Sequence, residues 1–323
     1  MAWPRGGTTA TTIAAVATSA DAAVTAWRWP DDPALPGLRT ALDPAHVGDL
    51  IGGPVELVRR SYWPGRRAVL EARSPSGSAF VKVVRPRALE RMRAVHEALG
   101  GLPVARPLSW SRELGILVLE GLPGRTISAC LADTTARPPD PGELLALLGH
   151  LGDVDLGGRT RGTTAGKIAR HVRLLEHVLP EESDALHRFA ALYGDERAGP
   201  LTTVHGDLHE EQILTTGGRI SGLLDVDGAG PGQLVDDLAL LVARVNARAR
   251  FGERGGDRAG AYAAALHDAF AAAADPHELG RRAAGALLGR ATAPFRVQAP
   301  DWRVQSRARI RMAEASLGAW ARG

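Results

Sequence analysis

The stretch that decides the fold is Val204-His205-Gly206-Asp207-Leu208-His209-Glu210-Glu211-Gln212, continued by an apolar run, Gly217-Gly218, a second apolar run, Asp225-Val226-Asp227 and Asp236-Asp237-Leu238-Ala239. Gly217-Gly218 stands between Ile213–Thr216 and Arg219–Leu224. Two strand-like runs about a Gly-Gly pair predict a hairpin with a two-residue turn. That turn would pair Thr216 with Arg219, Leu214 with Ser221 and Gln212 with Leu223. Residues two apart on a strand share a face, so Gln212 and Asp225 are expected as diagonal neighbours, roughly 7–8 Å apart. Two side-chain oxygens can meet from there on one Mg²⁺, whose bonds are about 2.1 Å long.

Asp207 lies in the loop before this hairpin, five residues ahead of Gln212. A base, an amide ligand and an acidic ligand in that order are the parts of a phosphoryl-transfer site of protein-kinase type. The segment resembles the aminoglycoside phosphotransferase and choline kinase group. Its marks are His-Gly-Asp, an amide five residues after the Asp, an apolar-Asp segment and Asp-Leu-Ala. The usual amide is Asn; Gln212 here is similar to the maltokinase and glucosamine kinase branch. The resemblance is strongest over Val204–Ala239 and extends more weakly over Val55–Gly124.

The resemblance implies an α+β, protein-kinase-like bilobal fold, with a small antiparallel-sheet N-lobe and a mostly helical C-lobe. Residues 1–50 would be an N-terminal helical extension, 51–122 the nucleotide-binding N-lobe, and 123–323 the C-lobe with catalytic loop and acceptor site. It implies ATP or GTP as donor and Mg²⁺ as metal. Asp207 would take the acceptor's proton, and Gln212 and Asp225 would hold Mg²⁺. Asp227 would assist a second metal or face the acceptor. His205 would brace the loop by hydrogen bonding. Asp237 would do the same, or cap a helix starting at Leu238. Gly206 would let the chain turn tightly.

Composition agrees with a globular enzyme. The chain has 323 residues, 45% hydrophobic and 23% charged, with a formal net charge of +3. That small excess is spread along the chain and implies neither nucleic-acid nor membrane partners. No run approaches the ~20 apolar residues of a membrane span. Cys130 is the single cysteine, which points to a reducing, cytoplasmic location. The Ala/Thr-rich start, Met1 to Ala26, is expected as a frayed end and a helix rather than a targeting segment.

Asp43-Pro44 marks a helix start, closed by Gly52-Gly53. Strands are expected at Val55–Tyr62, Arg67–Arg73 and Ala79–Val84, a meander. Its first loop, Ser61-Tyr62-Trp63-Pro64-Gly65-Arg66-Arg67, would hold the place of a kinase phosphate-covering loop, or is an ordinary hairpin turn. Lys82 interrupts the apolar Phe80–Val84. It is either an edge-strand lysine in water or the kinase lysine on the α/β-phosphates. A helix from Pro86 carries Glu90 and Glu97, one of which is expected to pair with Lys82, with Glu90 preferred. Strands Ala105–Trp110 and Gly115–Leu119 lead to Glu120-Gly121-Leu122-Pro123-Gly124, the family's hinge, where the backbone at Glu120 and Leu122 would read the nucleotide base. Seven further helices are expected, three before the central hairpin and four after it.

Glu210, Glu211, Asp227 and Asp236 gather carboxylates near Asp207, which favours a cationic or polyhydroxyl acceptor such as an aminoglycoside or amino sugar. The alternatives are a metabolic sugar kinase of maltokinase or glucosamine kinase type, a non-catalytic nucleotide-binding pseudokinase, and a two-metal hydrolase built on His205, Asp207, His209, Asp225 and Asp227.

Overall fold

The structure, a computed structural model, describes residues 13–16, 25–158, 160, 164–194, 199–251 and 254–320. The chain divides into two compact units, residues 1–122 and 123–323.

The first unit begins with β1 (Ile13–Val16) and β2 (Thr25–Arg28), paired antiparallel with Ile13 opposite Arg28. A helix was expected across these residues; the β-branched Ile13, Val16 and Thr25 and the cross-strand pairing favour strand instead. The rest of that expected helix lies outside the described residues. Short α1 (Leu38–Ala41) and α2 (Pro44–Ile51) follow. Asp43 caps α2 by accepting from the Ala45 N–H at 3.0 Å, with Pro44 in the first turn and Gly52 left-handed at φ 86°, as the sequence pattern demands.

A five-stranded antiparallel sheet forms the body of this unit. Its strands are β3 (Glu56–Trp63), β4 (Arg67–Ser74), β5 (Gly77–Val84), β6 (Pro107–Ser111) and β7 (Ile116–Glu120), in the order β3-β4-β5-β7-β6. Helix α3 (Pro86–Ala98) connects β5 to β6. Side-chain alternation gives the sheet two buried faces. Ala79, Val81 and Val83 of β5 join Ile116 and Val118 on one face, packed with Leu35, Leu38, Ala41 and Val47. Residues 35–47 are therefore core of this unit rather than an appendage to it. Val84, Leu117 and Leu119 lie on the other face with Leu89 and Met92 of α3 and with Ala105.

The second unit opens with β8 (Arg125–Thr126) and α4 (Ile127–Ala132), then α5 (Pro141–Gly152), α6 (Thr164–Val178) and α7 (Ser183–Tyr193). Strand β9 (Thr202–Val204) precedes the hairpin β10 (Ile213–Thr216) and β11 (Arg219–Leu223), and β12 (Gly230–Gly232) returns to pair with β9. Helices α8 (Leu234–Arg250), α9 (Gly256–Ala271), α10 (Pro276–Arg290), α11 (Ala293–Arg296) and α12 (Trp302–Trp320) complete it. Helix α10 packs against α8, α12 and α6. Its inner side carries Leu279, Ala284 and Leu288 together with a fully buried Arg282.

That arginine is satisfied on three sides. It donates to Glu278 Oε2 at 3.1 Å, to Asp236 Oδ1 at 2.9 Å and to Gln233 Oε1 at 2.9 Å. Elsewhere Arg258 of α9 donates to the carbonyls of Cys130 (2.7 Å), Asp133 and Ala136. A cation there meets the carbonyl end of α4, where it is electrostatically favoured. Among the described residues, no helix is long and apolar enough to cross a membrane.

Candidate active site

Each unit places its own share of the expected residues. In the second, β9 and β12 form a two-stranded base, and the loop leaving β9 carries His205 to Gln212. Gly206 takes φ 78°, a left-handed turn that costs a glycine little. Leu208 is fully buried while Asp207 is exposed, so the leucine anchors the loop and leaves the carboxylate outside.

Asp237 fixes this loop from below. Its Oδ2 accepts from the His205 N–H at 2.7 Å and its Oδ1 from the Gly206 N–H at 2.8 Å. Two charge-assisted bonds to consecutive amides hold the backbone just before Asp207. Helix α8 begins at Leu234, so Asp237 sits inside its first turn. The expected capping of a helix starting at Leu238 is corrected: the helix starts one turn earlier, and the carboxylate serves the neighbouring loop instead.

His205 is 1% exposed. Its Nε2–H donates to the Leu224 carbonyl at 2.8 Å, and its Nδ1 accepts from the Asp207 N–H at 3.3 Å. Both ring nitrogens are thus engaged in bracing, which removes His205 from the donor set of a two-metal hydrolase.

The hairpin forms about Gly217-Gly218 (φ 62° and 81°), both left-handed as a two-residue turn requires. Its register departs from expectation. Thr216 pairs with Arg219, but Thr215 pairs with Ile220 and Leu214 with Gly222, across a bulge. Ser221 is the extra residue; its hydroxyl donates to the Pro123 carbonyl at 2.7 Å and receives one from Thr216 at 3.2 Å. An inserted residue shifts every later pair by one. Gln212 consequently faces Leu224, whose N–H donates to the Gln212 carbonyl at 2.7 Å. Asp225 follows directly, beyond the end of β11, in the left-handed region at φ 58°. Gln212 and Asp225 are adjacent through this backbone bond, not through the diagonal of a regular ladder. Asp227 lies in the short 3-10 turn Val226–Gly228 after it.

The Gln212 amide lies 3.3 Å from His209 Nε2. Burial holds the His209 imidazole below its ordinary range, and the Arg244 charge lowers it further. Arg244 of α8 also donates to Glu210 at 3.1 Å. Glu210 is 4% exposed, and Asp236 is held by Arg282 and by the Thr164 hydroxyl. Two of the four carboxylates expected to attract a cation are therefore neutralised within the unit. Sequence reading missed Arg244. The only sign of it is a cation on a helix otherwise turned inward by Leu241, Val242 and Val245.

In the first unit, Lys82 is 8% exposed on β5, between Val69 of β4 and Leu117 of β7. It is on a central strand, which excludes the edge-strand reading. It shares a face with Val84, the face that packs on α3. Glu90 of α3 makes ion pairs with Arg93 at 3.4 Å and Arg112 at 3.9 Å, and Glu97 pairs with Arg93. Glu120 ends β7 in a bidentate pair with Arg106, at 2.9 to 3.2 Å, which holds its carboxyl below the usual range. Leu122 packs on the α3 side of the sheet. Arg66 is exposed in the three-residue turn between β3 and β4, its N–H donating to the Trp63 carbonyl at 2.9 Å.

Gln212 and Asp225 offer hard oxygen donors suited to Mg²⁺. Among the described residues no group of three or more His, Cys, Asp or Glu could hold a metal.

The fold has counterparts among known proteins. The solved structures similar to the chain include a ternary complex of a thermostable mutant of aminoglycoside phosphotransferase APH(4)-Ia with AMP-PNP and hygromycin B. Its TM-score is 0.58 at 16% identity, over 84% of this chain and 98% of that one. A choline/ethanolamine kinase family protein from Mesorhizobium loti gives 0.55 at 16% identity, over 88% and 97%. A macrolide 2'-phosphotransferase type I gives 0.53 at 17% identity, over 82% and 96%. At these identities the likeness establishes the kinase-like α+β fold. No curated protein matches by sequence. The model of the phosphotransferase enzyme family matches residues 58–274, about two thirds of the chain. The chain therefore belongs to the phosphotransferase enzyme family and is a small-molecule phosphotransferase.

Proposed function

We propose that the protein transfers the γ-phosphoryl group of ATP or GTP to a hydroxyl of a small, sugar-like acceptor. The observation that carries this reading is the loop clamp: Asp237 on the amides of His205 and Gly206, and His205 on the Leu224 carbonyl. Together with the bond between Gln212 and Leu224, it sets Asp207, Gln212 and Asp225 on one frame.

In this reading Asp207 accepts the hydroxyl proton as the acceptor oxygen attacks. Gln212 and Asp225 would hold Mg²⁺, with Asp227 beside them. When bound, the ion supplies charge neutralisation on the phosphate oxygens. Lys82 holds the α/β-phosphates, and Glu90 is the helix carboxylate assigned to support it. The backbone at Glu120 and Leu122 meets the nucleotide base, and Arg66 meets the phosphates.

An aminoglycoside or amino sugar is the first acceptor class, supported by the hygromycin B bound in a structural neighbour. A neutral sugar is the second. It is favoured by the pairing of Glu210 with Arg244 and of Asp236 with Arg282, which takes two of the expected carboxylates away from a cationic acceptor.

The test is nucleotide consumption across hydroxylated acceptors (aminoglycosides, glucosamine, maltose), with Asp207→Asn in parallel. Acceptor-dependent turnover that vanishes in the variant supports the reading. Undiminished turnover in Asp207→Asn would sink the assigned base. Nucleotide binding with no transfer to any acceptor would establish a pseudokinase.

A further inference from the structure

Asp32 lies in Pro30-Asp31-Asp32-Pro33, ahead of the family-matched region. It is 3% exposed. A carboxylate so buried must be matched by donors, and three converge on it. The Ala34 N–H donates to Oδ1 at 3.0 Å; the Tyr62 hydroxyl at 2.8 Å and the Gly65 N–H at 2.7 Å both donate to Oδ2. The first closes a local turn. The other two come from the end of β3 and from the β3–β4 turn, some thirty residues on.

The surroundings make this a built contact. The Tyr62 phenol accepts from Trp27 Nε1 at 2.8 Å, and the Trp29 ring meets the Tyr62 ring edge-on, centroids 4.6 Å apart. Burial, with Asp32 adding to it, pushes the Tyr62 phenol well above its ordinary range, so it stays a donor. On the far side of the turn, Arg85 Nε donates to the Gly65 carbonyl at 2.7 Å.

The consequence concerns how the turn can meet phosphate. Glycine-rich phosphate loops present backbone N–H groups to the anion. Here the Gly65 N–H is spent on Asp32 and the Arg66 N–H on the Trp63 carbonyl. Resting on the phosphotransferase reading above, we propose that Asp32 is a positioning residue for the nucleotide. It pins the Pro64-Gly65-Arg66 turn so that the Arg66 guanidinium, in place of backbone amides, contacts the phosphates.

The experiment compares MgATP with adenosine in calorimetric titrations of the full chain, without acceptor, for wild type, Asp32→Ala, Tyr62→Phe and Arg66→Ala. Asp32→Ala and Arg66→Ala are each expected to weaken MgATP about tenfold, the size of one lost charge-assisted hydrogen bond, and to leave adenosine unchanged. Tyr62→Phe removes one of the two long-range donors and keeps Asp32; a smaller loss of MgATP alone is expected, and it serves where Asp32→Ala does not fold. Unchanged MgATP affinity in the folded variants overturns the role of Asp32. So does an equal loss for MgATP and adenosine, which would mark general damage to the unit. Wild-type protein that binds no MgATP would overturn the reading beneath it as well.

Discussion

Asp237 holds the backbone of His205. One carboxylate oxygen takes the His205 N–H at 2.7 Å and the other takes the next amide, of Gly206, at 2.8 Å. A residue that touches no expected substrate therefore sets the direction of Asp207. Asp237→Asn exchanges one acceptor oxygen for an NH₂ facing an N–H donor. A buried donor left without a partner costs ~1–3 kcal/mol. We expect a loss of that size in denaturant unfolding, and at least tenfold slower turnover. Full turnover in Asp237→Asn would show that the clamp does not position Asp207.

Asp207 itself is exposed, so its removal should spare the fold. Asp207→Asn is expected to keep the melting temperature within a degree or so while lowering turnover by ~10²-fold or more, the usual weight of a positioned acid or base. Thermal unfolding and steady-state kinetics on one preparation separate the two effects.

Arg282 is 1% exposed and ties Glu278 of α10 to Asp236 and Gln233 at the start of α8. Arg282→Met removes the cation that neutralises Asp236, while Glu278 keeps its bidentate pair with Arg281 at 2.7 Å. Breaking a buried pair from one side costs ~3–5 kcal/mol. Chemical denaturation should show that loss, and Asp236→Asn in the same background should recover part of it, since it deletes one orphaned charge.

The His171 imidazole is held below its ordinary 6.5 by burial, with Arg170, Arg296 and Lys167 adding to the effect. The sign follows from linkage. Below about pH 6.5 the unfolded chain takes up a proton that the folded chain refuses, so stability is full above that pH and falls as the pH drops beneath it. The half-buried His209 shifts the same way and adds to the slope. Unfolding free energies at pH 5.5 and 8 should differ in favour of pH 8, and His171→Gln should narrow the difference. An unchanged gap would remove His171 from the explanation.

Local signals in the chain were enough for much of this structure. Asp43-Pro44 and Gly52 bound a helix because their backbone preferences act within a few residues. The Gly217-Gly218 turn, the meander and the spacing of Asp207, Gln212 and Asp225 were legible for the same reason. The Ala/Thr start was not, because its composition suits helix and strand alike and the pairing of Ile13–Val16 with Thr25–Arg28 decides between them.

Contacts between distant residues settled the rest. The bulge at Ser221 depends on a hydroxyl bond to the Pro123 carbonyl, so the hairpin register could not be counted from the turn alone. Arg244, Arg282 and Asp32 look like ordinary surface charges in one dimension. Each is placed by burial beside a partner about thirty or more residues away, and a buried charge must find such a partner. Sequence determined most of the elements and the order of the candidate site residues along the chain; tertiary packing alone decided which charges are neutralised, because neutralisation depends on neighbours in space.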